Sequence, residues 1–143
     1  MEQTEYHRPF QSLLISHVAT ALEEVRAGGS SQGILLIGGS GTGKTHAFDL
    51  IAGSFERKLL DGQMLTPCVR IEMPLNPTPK NIVIAALKPL GGVYTSGGHS
   101  TPETQLRDAF DCHQVKVVLL EEFHNALLSG TTAVRNQVLK FVK

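Results

Sequence analysis

The chain of 143 residues is long enough for one compact domain or for part of a larger protein. Apolar residues make up 41% and charged residues 18%, so the chain can bury a core and wholesale disorder is excluded. Its 13 basic and 13 acidic residues cancel, so net charge gives no support to nucleic-acid or membrane binding, although a local patch would still serve either.

The start of the chain and its cysteines indicate the compartment. Residues Met1–Glu5 are polar and acidic, with neither the basic nor the apolar region of a signal peptide. The apolar runs Ile34–Ile37 and Val117–Leu120 are too short to span a bilayer. Cys68 and Cys112 lie far apart in no C-x-x-C pattern, which is typical of small buried side chains in a reducing cytoplasm. We therefore expect a cytoplasmic protein without a membrane partner.

Helical and strand patterns alternate along the chain. Apolar residues at spacings of three and four predict a helix over Pro9–Arg26, and the apolar run Gly33–Ile37 is typical of a buried strand. A glycine-rich loop follows, then a helix from about Gly43 to Leu60 and a second strand over Cys68–Met73. Further along we predict helices over 79–88 and 102–113, a strand over 115–120 and a helix over 132–143. This alternation indicates an α/β fold with a mainly parallel sheet.

Helix caps support two of these boundaries. Thr78 is a plausible N-cap for the helix that begins at Pro79, since proline suits the first helical turn. Ser100 and Glu103 have the spacing of a capping box around Pro102.

The glycine-rich loop matches the phosphate-binding pattern G-x-x-x-x-G-K-[ST] throughout, between an apolar strand and a helix. Glycines let successive backbone N–H groups converge on phosphate oxygens, and the helix N-terminus adds partial positive charge. Lys44 is predicted to reach the β- and γ-phosphates of ATP, and the Thr45 hydroxyl to ligate Mg²⁺. The predicted nucleotide-binding residues are Gly38, Gly39, Ser40, Gly41, Thr42, Gly43, Lys44, Thr45 and His46.

Two carboxylates follow the apolar strand Val117–Leu120. The carboxyl ends of strands form the ligand-binding edge of an α/β sheet, and a P-loop needs a carboxylate there for Mg²⁺ or its water shell. Glu121 is predicted to lie beside Mg²⁺ and Glu122 to polarise the attacking water as a general base. For His124 and Asn125, contact with the γ-phosphate or a neighbouring subunit and a plain turn or capping role both stay open.

Taken together, these segments resemble TniB-type transposition ATPases, which are AAA+ proteins related to the TnsC regulators. The likeness extends from about Phe10 to the C-terminus. Its most specific parts are the run Leu119–Gly130, which contains Glu121-Glu122-Phe123-His124-Asn125, and the run Arg135–Leu139. The phosphate loop, the segment Pro74–Pro79 and the segment Leu90–Tyr94 also contribute.

This resemblance implies a three-layer αβα P-loop fold of the AAA+ kind and an ATP-dependent homo-oligomer that assembles on DNA. Such an assembly marks a target site and recruits or activates a DDE transposase, together with target-selection proteins. The sequence departs from the family in carrying Glu121-Glu122 where Asp-Glu is usual, and the longer Glu121 still reaches Mg²⁺, directly or through water. The sensor strand, the arginine region and the helical lid would lie beyond Lys143, so we expect a fragment that is incomplete at its C-terminus.

The expected organisation is an N-terminal helix and linker over 1–32 and a partial AAA+ core over 33–143. Two alternatives remain: a nucleotide-binding chain without turnover, and a small P-loop kinase. The kinase is less favoured because no arginine-rich lid is visible, and a GTPase is disfavoured because no Asn-Lys-x-Asp motif is present.

Overall fold

The computed structural model describes residues 9–39, 41–128, 130–133 and 136. The chain divides into two compact units, Met1–Ser54 and Phe55–Lys143, each described here by itself.

The first unit consists of two helices that contact each other. Helix α1 spans Pro9–Arg26, as the apolar spacing predicts, and helix α2 spans Lys44–Gly53. Their buried residues are Gln11 and Leu14 of α1 and Ala47 and Ile51 of α2. Between the helices lies the phosphate loop.

The predicted strand over Gly33–Ile37 is wrong for this structure. These residues form no strand, and Ile34, Leu35 and Ile37 are exposed. An apolar run becomes a strand only when another strand accepts its backbone hydrogen bonds, and both described elements of this unit are helices.

The predicted helix from Gly43 to Leu60 is also too long. Helix α2 ends at Gly53, and strands β1 (Lys58–Leu60) and β2 (Gln63–Leu65) form an antiparallel hairpin. The turn is Asp61-Gly62, with φ of 50° and 81°, which is the left-handed backbone that a tight hairpin requires. His113 Nδ1 lies 2.8 Å from the Met64 carbonyl oxygen and ties the hairpin to the end of a later helix, Pro102–Cys112.

A parallel strand pair forms the centre of the second unit. Strand β3 (Cys68–Glu72) pairs with β4 (Val117–Glu121), in a register that sets Val69 beside Val118 and Glu72 beside Glu121. Both strands were predicted, to within a few residues at their ends. The mixed α/β character and the parallel pairing therefore agree with the sequence.

Two helices connect these strands and cover one face of the pair. Helix α3 spans Pro79–Leu87, a 3₁₀ turn follows at Lys88–Leu90, and helix α4 spans Pro102–Cys112. They pack on the strands in a core that includes Val69, Ile71, Ala86, Leu90, Leu106, Ala109, Phe110 and Leu120. The short helix α5 spans His124–Leu128, and its Ala126 packs with Met73 and Ile82 at the carboxyl end of β3.

The two predicted caps have different outcomes. Thr78 accepts a hydrogen bond from the Asn81 N–H at 3.1 Å, so it caps α3 as expected. At α4 the capping residue is Thr101, which accepts from the Thr104 N–H at 3.2 Å, and not Ser100. The Thr101 hydroxyl, one position later, makes the capping hydrogen bond, so the predicted start of the helix at Pro102 is unchanged.

Most of the helix predicted over 132–143 lies outside the described residues. Within the part of the chain that the structure describes, no helix is long and apolar enough to cross a membrane.

The buried face of the strand pair offers a matched stability test. Val69 is 1% exposed and Val118, its partner in the register, is 39% exposed. We expect Val69→Ala to lower the free energy of unfolding by about 2 kcal/mol, because two buried methyl groups are lost and a cavity remains. Val118→Ala is the control and should cost under about 1 kcal/mol. Urea unfolding followed by circular dichroism measures both, and equal losses would show that β3 is not the buried strand.

Candidate functional site

The phosphate loop adopts a backbone that needs glycine at particular positions. Gly41 and Gly43 have φ of 74° and 88°, the left-handed region in which a side chain is strained. At Gly38 a Cβ atom would lie 3.0 Å from Thr42 Oγ1, because the loop folds closely over itself there. Thr42 Oγ1 also donates to the Gly39 carbonyl at 2.8 Å. Gly38, Gly41 and Gly43 of the predicted phosphate loop therefore lie at positions where the folded backbone favours glycine.

Lys44 lies folded across this loop. Its ammonium donates to the carbonyl oxygens of Gly38 and Gly39, each at 2.6 Å, and lies 3.4 Å from Thr42 Oγ1. An ammonium group has three donors, so the loop itself engages all of them. A phosphate would have to replace at least one of these contacts.

The loop ends on a helix N-terminus that has no side-chain cap. Gly43 is the N-cap residue of α2, and no side chain at that position bonds to the first turn. Thr45 and His46 are exposed in that turn, and Ser40 lies outside the described residues. Gln11 of α1, which is 1% exposed, donates its side-chain amide to the Gly43 carbonyl at 3.3 Å and so anchors the loop to α1. Sequence analysis missed this contact, although a glutamine on the apolar face of a helix is a signal for one.

These features fit a bound phosphate group. Uncapped N–H groups at a helix N-terminus, left-handed glycines and a nearby ammonium are the features through which phosphate loops bind anions. The residues that would hold the phosphates are those of 38–46, and the Thr45 hydroxyl is an oxygen donor of the kind that Mg²⁺ prefers.

The carboxylate of Glu121, at the end of β4, is held by an arginine on the neighbouring strand. Arg70 Nε donates to Glu121 Oε2 at 2.8 Å, and Arg70 Nη2 donates to Glu121 Oε1 at 2.7 Å. The two side chains are 30% and 26% exposed, so this ion pair is shielded from much of the solvent. Burial raises the pKa of the Cys68 thiol on the same strand, and the charge of Arg70 opposes that rise only in part.

Glu122 follows in a strained backbone conformation. Its φ is 53°, and left-handed geometry costs a non-glycine residue about 1–3 kcal/mol. The Glu122 carboxylate lies 3.3 Å from His124 Nε2, with both side chains more than half exposed. The turn closes when the Asn125 side-chain amide donates to the Met73 carbonyl at 3.0 Å. This contact ties the acidic turn to the residue that follows β3.

Comparison with protein families decides what kind of chain this is. The sequence matches the family described as Bacterial TniB protein over residues 7–143. The chain belongs to the TniB family. No protein of curated function matches it.

A shallow cavity of about 320 Å³ opens beside the acidic turn of this TniB chain. Its lining is mixed, with carboxylates, a histidine and apolar side chains: Glu72, Met73, Pro74, Leu75, Glu122, His124 and Asn125. Among the described residues no group of histidine, cysteine and acidic side chains has the arrangement of a metal cluster.

The site residues predicted for a TniB protein fall into two sets. Lys44 meets Gly38, Gly39 and Thr42 within the first unit. The other set, Glu121 and Glu122, lies at the end of β4 in the second unit. The sequence analysis did not predict the Arg70–Glu121 pair. The signal for it was Arg70 itself, because a basic residue inside the apolar strand Cys68–Met73 requires a partner of opposite charge.

Proposed function

We propose that this TniB protein binds ATP with Mg²⁺ through the loop Gly38–Thr45 and uses the bound nucleotide to regulate DNA transposition. The observation that carries the proposal is the loop geometry: left-handed Gly41 and Gly43 lead into an uncapped helix, with the Lys44 ammonium folded over the loop. In P-loop proteins a lysine in this position neutralises phosphate charge, as Lys44 would here, and a bound Mg²⁺ would supply further positive charge.

The proposed fold is the AAA+ version of the P-loop architecture, with a mainly parallel sheet between helical layers. The parallel pair β3–β4, joined through α3 and α4, is compatible with it. Family membership supports the proposed partners, which are DNA, a DDE transposase and further copies of the chain.

Hydrolysis of ATP is the second part of the proposal. Glu122 stands directly after the strand that ends in Glu121, and its carboxylate reaches solvent. As general base it would take a proton from the attacking water, with Lys44 and the magnesium ion offsetting the charge of the transferred phosphoryl group.

Nucleotide binding without turnover is a second candidate. The ion pair of Arg70 with Glu121 favours it, because both oxygens of the predicted metal-binding carboxylate already accept hydrogen bonds. A switch protein of this kind would need ATP only to hold one conformation.

The nucleotide site is tested with Lys44→Ala. We expect this variant to bind Mg-ATP about ten- to a hundredfold more weakly than the parent, since a charge-assisted hydrogen bond contributes about 1.5–3 kcal/mol. Isothermal titration calorimetry measures the affinity. Lys116→Ala removes an exposed lysine next to β4 and is the control, which should bind like the parent chain. A parent chain that is folded and binds no Mg-ATP would refute the proposed site.

Turnover is tested with Glu122→Gln, which removes the base and keeps the side-chain size. Loss of a general base slows a reaction by about 10²–10⁴-fold, so phosphate release should fall by at least a factor of about 100. Affinity for Mg-ATP should stay within about threefold of the parent, because the phosphate contacts come from the loop. If Glu122→Gln releases phosphate as fast as the parent, Glu122 is not the base. If the parent binds ATP but releases no phosphate, the result supports nucleotide binding without turnover.

Assembly on DNA is tested by fluorescence anisotropy and mass photometry with a labelled duplex. We expect oligomers on DNA with Mg-ATP, and none without nucleotide or with Lys44→Ala. Phosphate contacts make such binding salt-dependent, so affinity should fall steeply between about 50 and 200 mM salt. If the protein binds DNA equally well with and without ATP, assembly on DNA does not depend on the nucleotide and this part of the proposal is wrong.

A further inference from the structure

The buried side chain of Gln11 connects helix α1 to the phosphate loop within the first unit. Glutamine is usually exposed in proteins, yet Gln11 is 1% exposed, and Leu14, one turn along the same helix, is 8% exposed. The Gln11 amide nitrogen donates to the Gly43 carbonyl oxygen at 3.3 Å, across 32 positions of sequence. The Gly43 carbonyl therefore has a partner that comes from outside the loop and is shielded from solvent.

This carbonyl belongs to the peptide group that opens helix α2. The same oxygen accepts the Ala47 N–H at 3.0 Å, in the first turn of the helix. A trans peptide is planar, so its N–H points away from its C=O. With the Gly43 carbonyl held by α1 and by the first turn, the Lys44 N–H points outward from the helix N-terminus. This N–H is one of the uncapped donors on which anion binding at a helix N-terminus depends.

Gly43 by itself does not fix this orientation. Its φ of 88° lies in the left-handed region, and glycine passes between backbone conformations at little steric cost. A rotation of the peptide group between Gly43 and Lys44 would turn the carbonyl toward the proposed phosphate site and the N–H away from it. Such a rotation breaks the hydrogen bonds of this carbonyl with Ala47 and with Gln11. Gln11 therefore opposes the rotation from outside the helix.

We propose that Gln11 is a positioning residue through which α1 holds the Lys44 N–H toward bound phosphate and so sets the affinity of the loop for Mg-ATP. This inference rests on the proposed nucleotide site. A donor that is already oriented loses less freedom when the ligand binds, which strengthens binding without a new contact. Gln11 then acts on the nucleotide through the loop.

The affinity test compares two substitutions of Gln11 by isothermal titration calorimetry with Mg-ATP. Gln11→Met keeps the length of the side chain and removes the donor, whereas Gln11→Asn keeps the amide and shortens its reach. We expect each variant to bind Mg-ATP about three- to tenfold more weakly than the parent, the effect of one neutral hydrogen bond on an equilibrium constant. Gln32→Met makes the same substitution at an exposed glutamine that bonds to Glu24, and should bind within about twofold of the parent.

A second control separates the hydrogen bond from helix packing. Leu14→Ala removes buried apolar surface from the same face of α1 and leaves the Gln11 amide in place. We expect its melting temperature to fall, while the Mg-ATP affinity of the folded protein stays within about twofold of the parent. Melting temperatures of all variants show that each is folded during the titration. An affinity that is unchanged in both Gln11 variants, or that falls as much in Leu14→Ala, would overturn the inference.

Amide hydrogen exchange without nucleotide, followed by NMR, reports on the peptide group directly. The Ala47 N–H is protected while the Gly43 carbonyl accepts it, whereas the Ile51 amide, one turn later, does not bond to that carbonyl. In Gln11→Met we expect Ala47 to exchange about three- to tenfold faster, relative to Ile51, than in the parent. Leu14→Ala should accelerate both amides together. An unchanged ratio in Gln11→Met would mean that Gln11 does not orient this peptide group.

The two measurements separate this inference from the proposed nucleotide site. If no protein binds Mg-ATP but the exchange ratio rises in Gln11→Met, the nucleotide proposal fails and the orientation of the loop by Gln11 stands. If the parent binds Mg-ATP and neither affinity nor exchange responds to Gln11→Met, only the role of Gln11 fails. If no protein binds Mg-ATP and the exchange ratio is the same in all, both fail.

Discussion

The parallel pairing of β3 with β4 is the constraint on which the second unit depends. It connects residues that are far apart in sequence, and its register decides which side chains become neighbours: the buried Val69 beside the exposed Val118, and Glu72 beside Glu121 at the carboxyl end. The backbone continues this pairing past the strand end, where the Met73 N–H donates to the Glu121 carbonyl at 2.9 Å. Asn125 then donates its side-chain amide to the Met73 carbonyl. The acidic turn is thus held on both sides by Met73, which directly follows the strand that carries Arg70. A slip of one residue in the pairing would move the strand side chains to the opposite face.

The sequence predicted best those elements whose signals are local. The apolar spacing of Pro9–Arg26, the cap at Thr78 and the apolar runs of β3 and β4 each depend on neighbouring residues, and the structure confirms them. The sequence analysis missed the hairpin over Lys58–Leu65, although Asp61-Gly62 between two short segments that contain apolar residues is a strong turn sequence. A turn sequence of this strength ends a helical pattern that continues across it, so the hairpin is predictable from sequence alone.

Other features depend on contacts between residues distant in sequence, and no local pattern reports them. The run Gly33–Ile37 has the composition of a buried strand, but a strand exists only where a second backbone satisfies it. Likewise, Arg70 and Glu121 are 51 positions apart, so their pairing follows from the register of two strands and not from either segment. For the candidate site, the residue types of the phosphate loop were predicted, whereas the contacts of Lys44 with the loop carbonyls required the folded chain.

The Arg70–Glu121 pair joins the stability of the strands to the chemistry proposed at their end. An arginine inside an apolar strand is unfavourable unless a carboxylate accepts its hydrogen bonds, and removing one partner from a shielded pair costs more than the pair contributes. The same carboxylate is the one that a P-loop site would use for its cation. A substitution at Glu121 would therefore disturb β3 as well as the proposed metal ligand, and its effect on activity would combine the two.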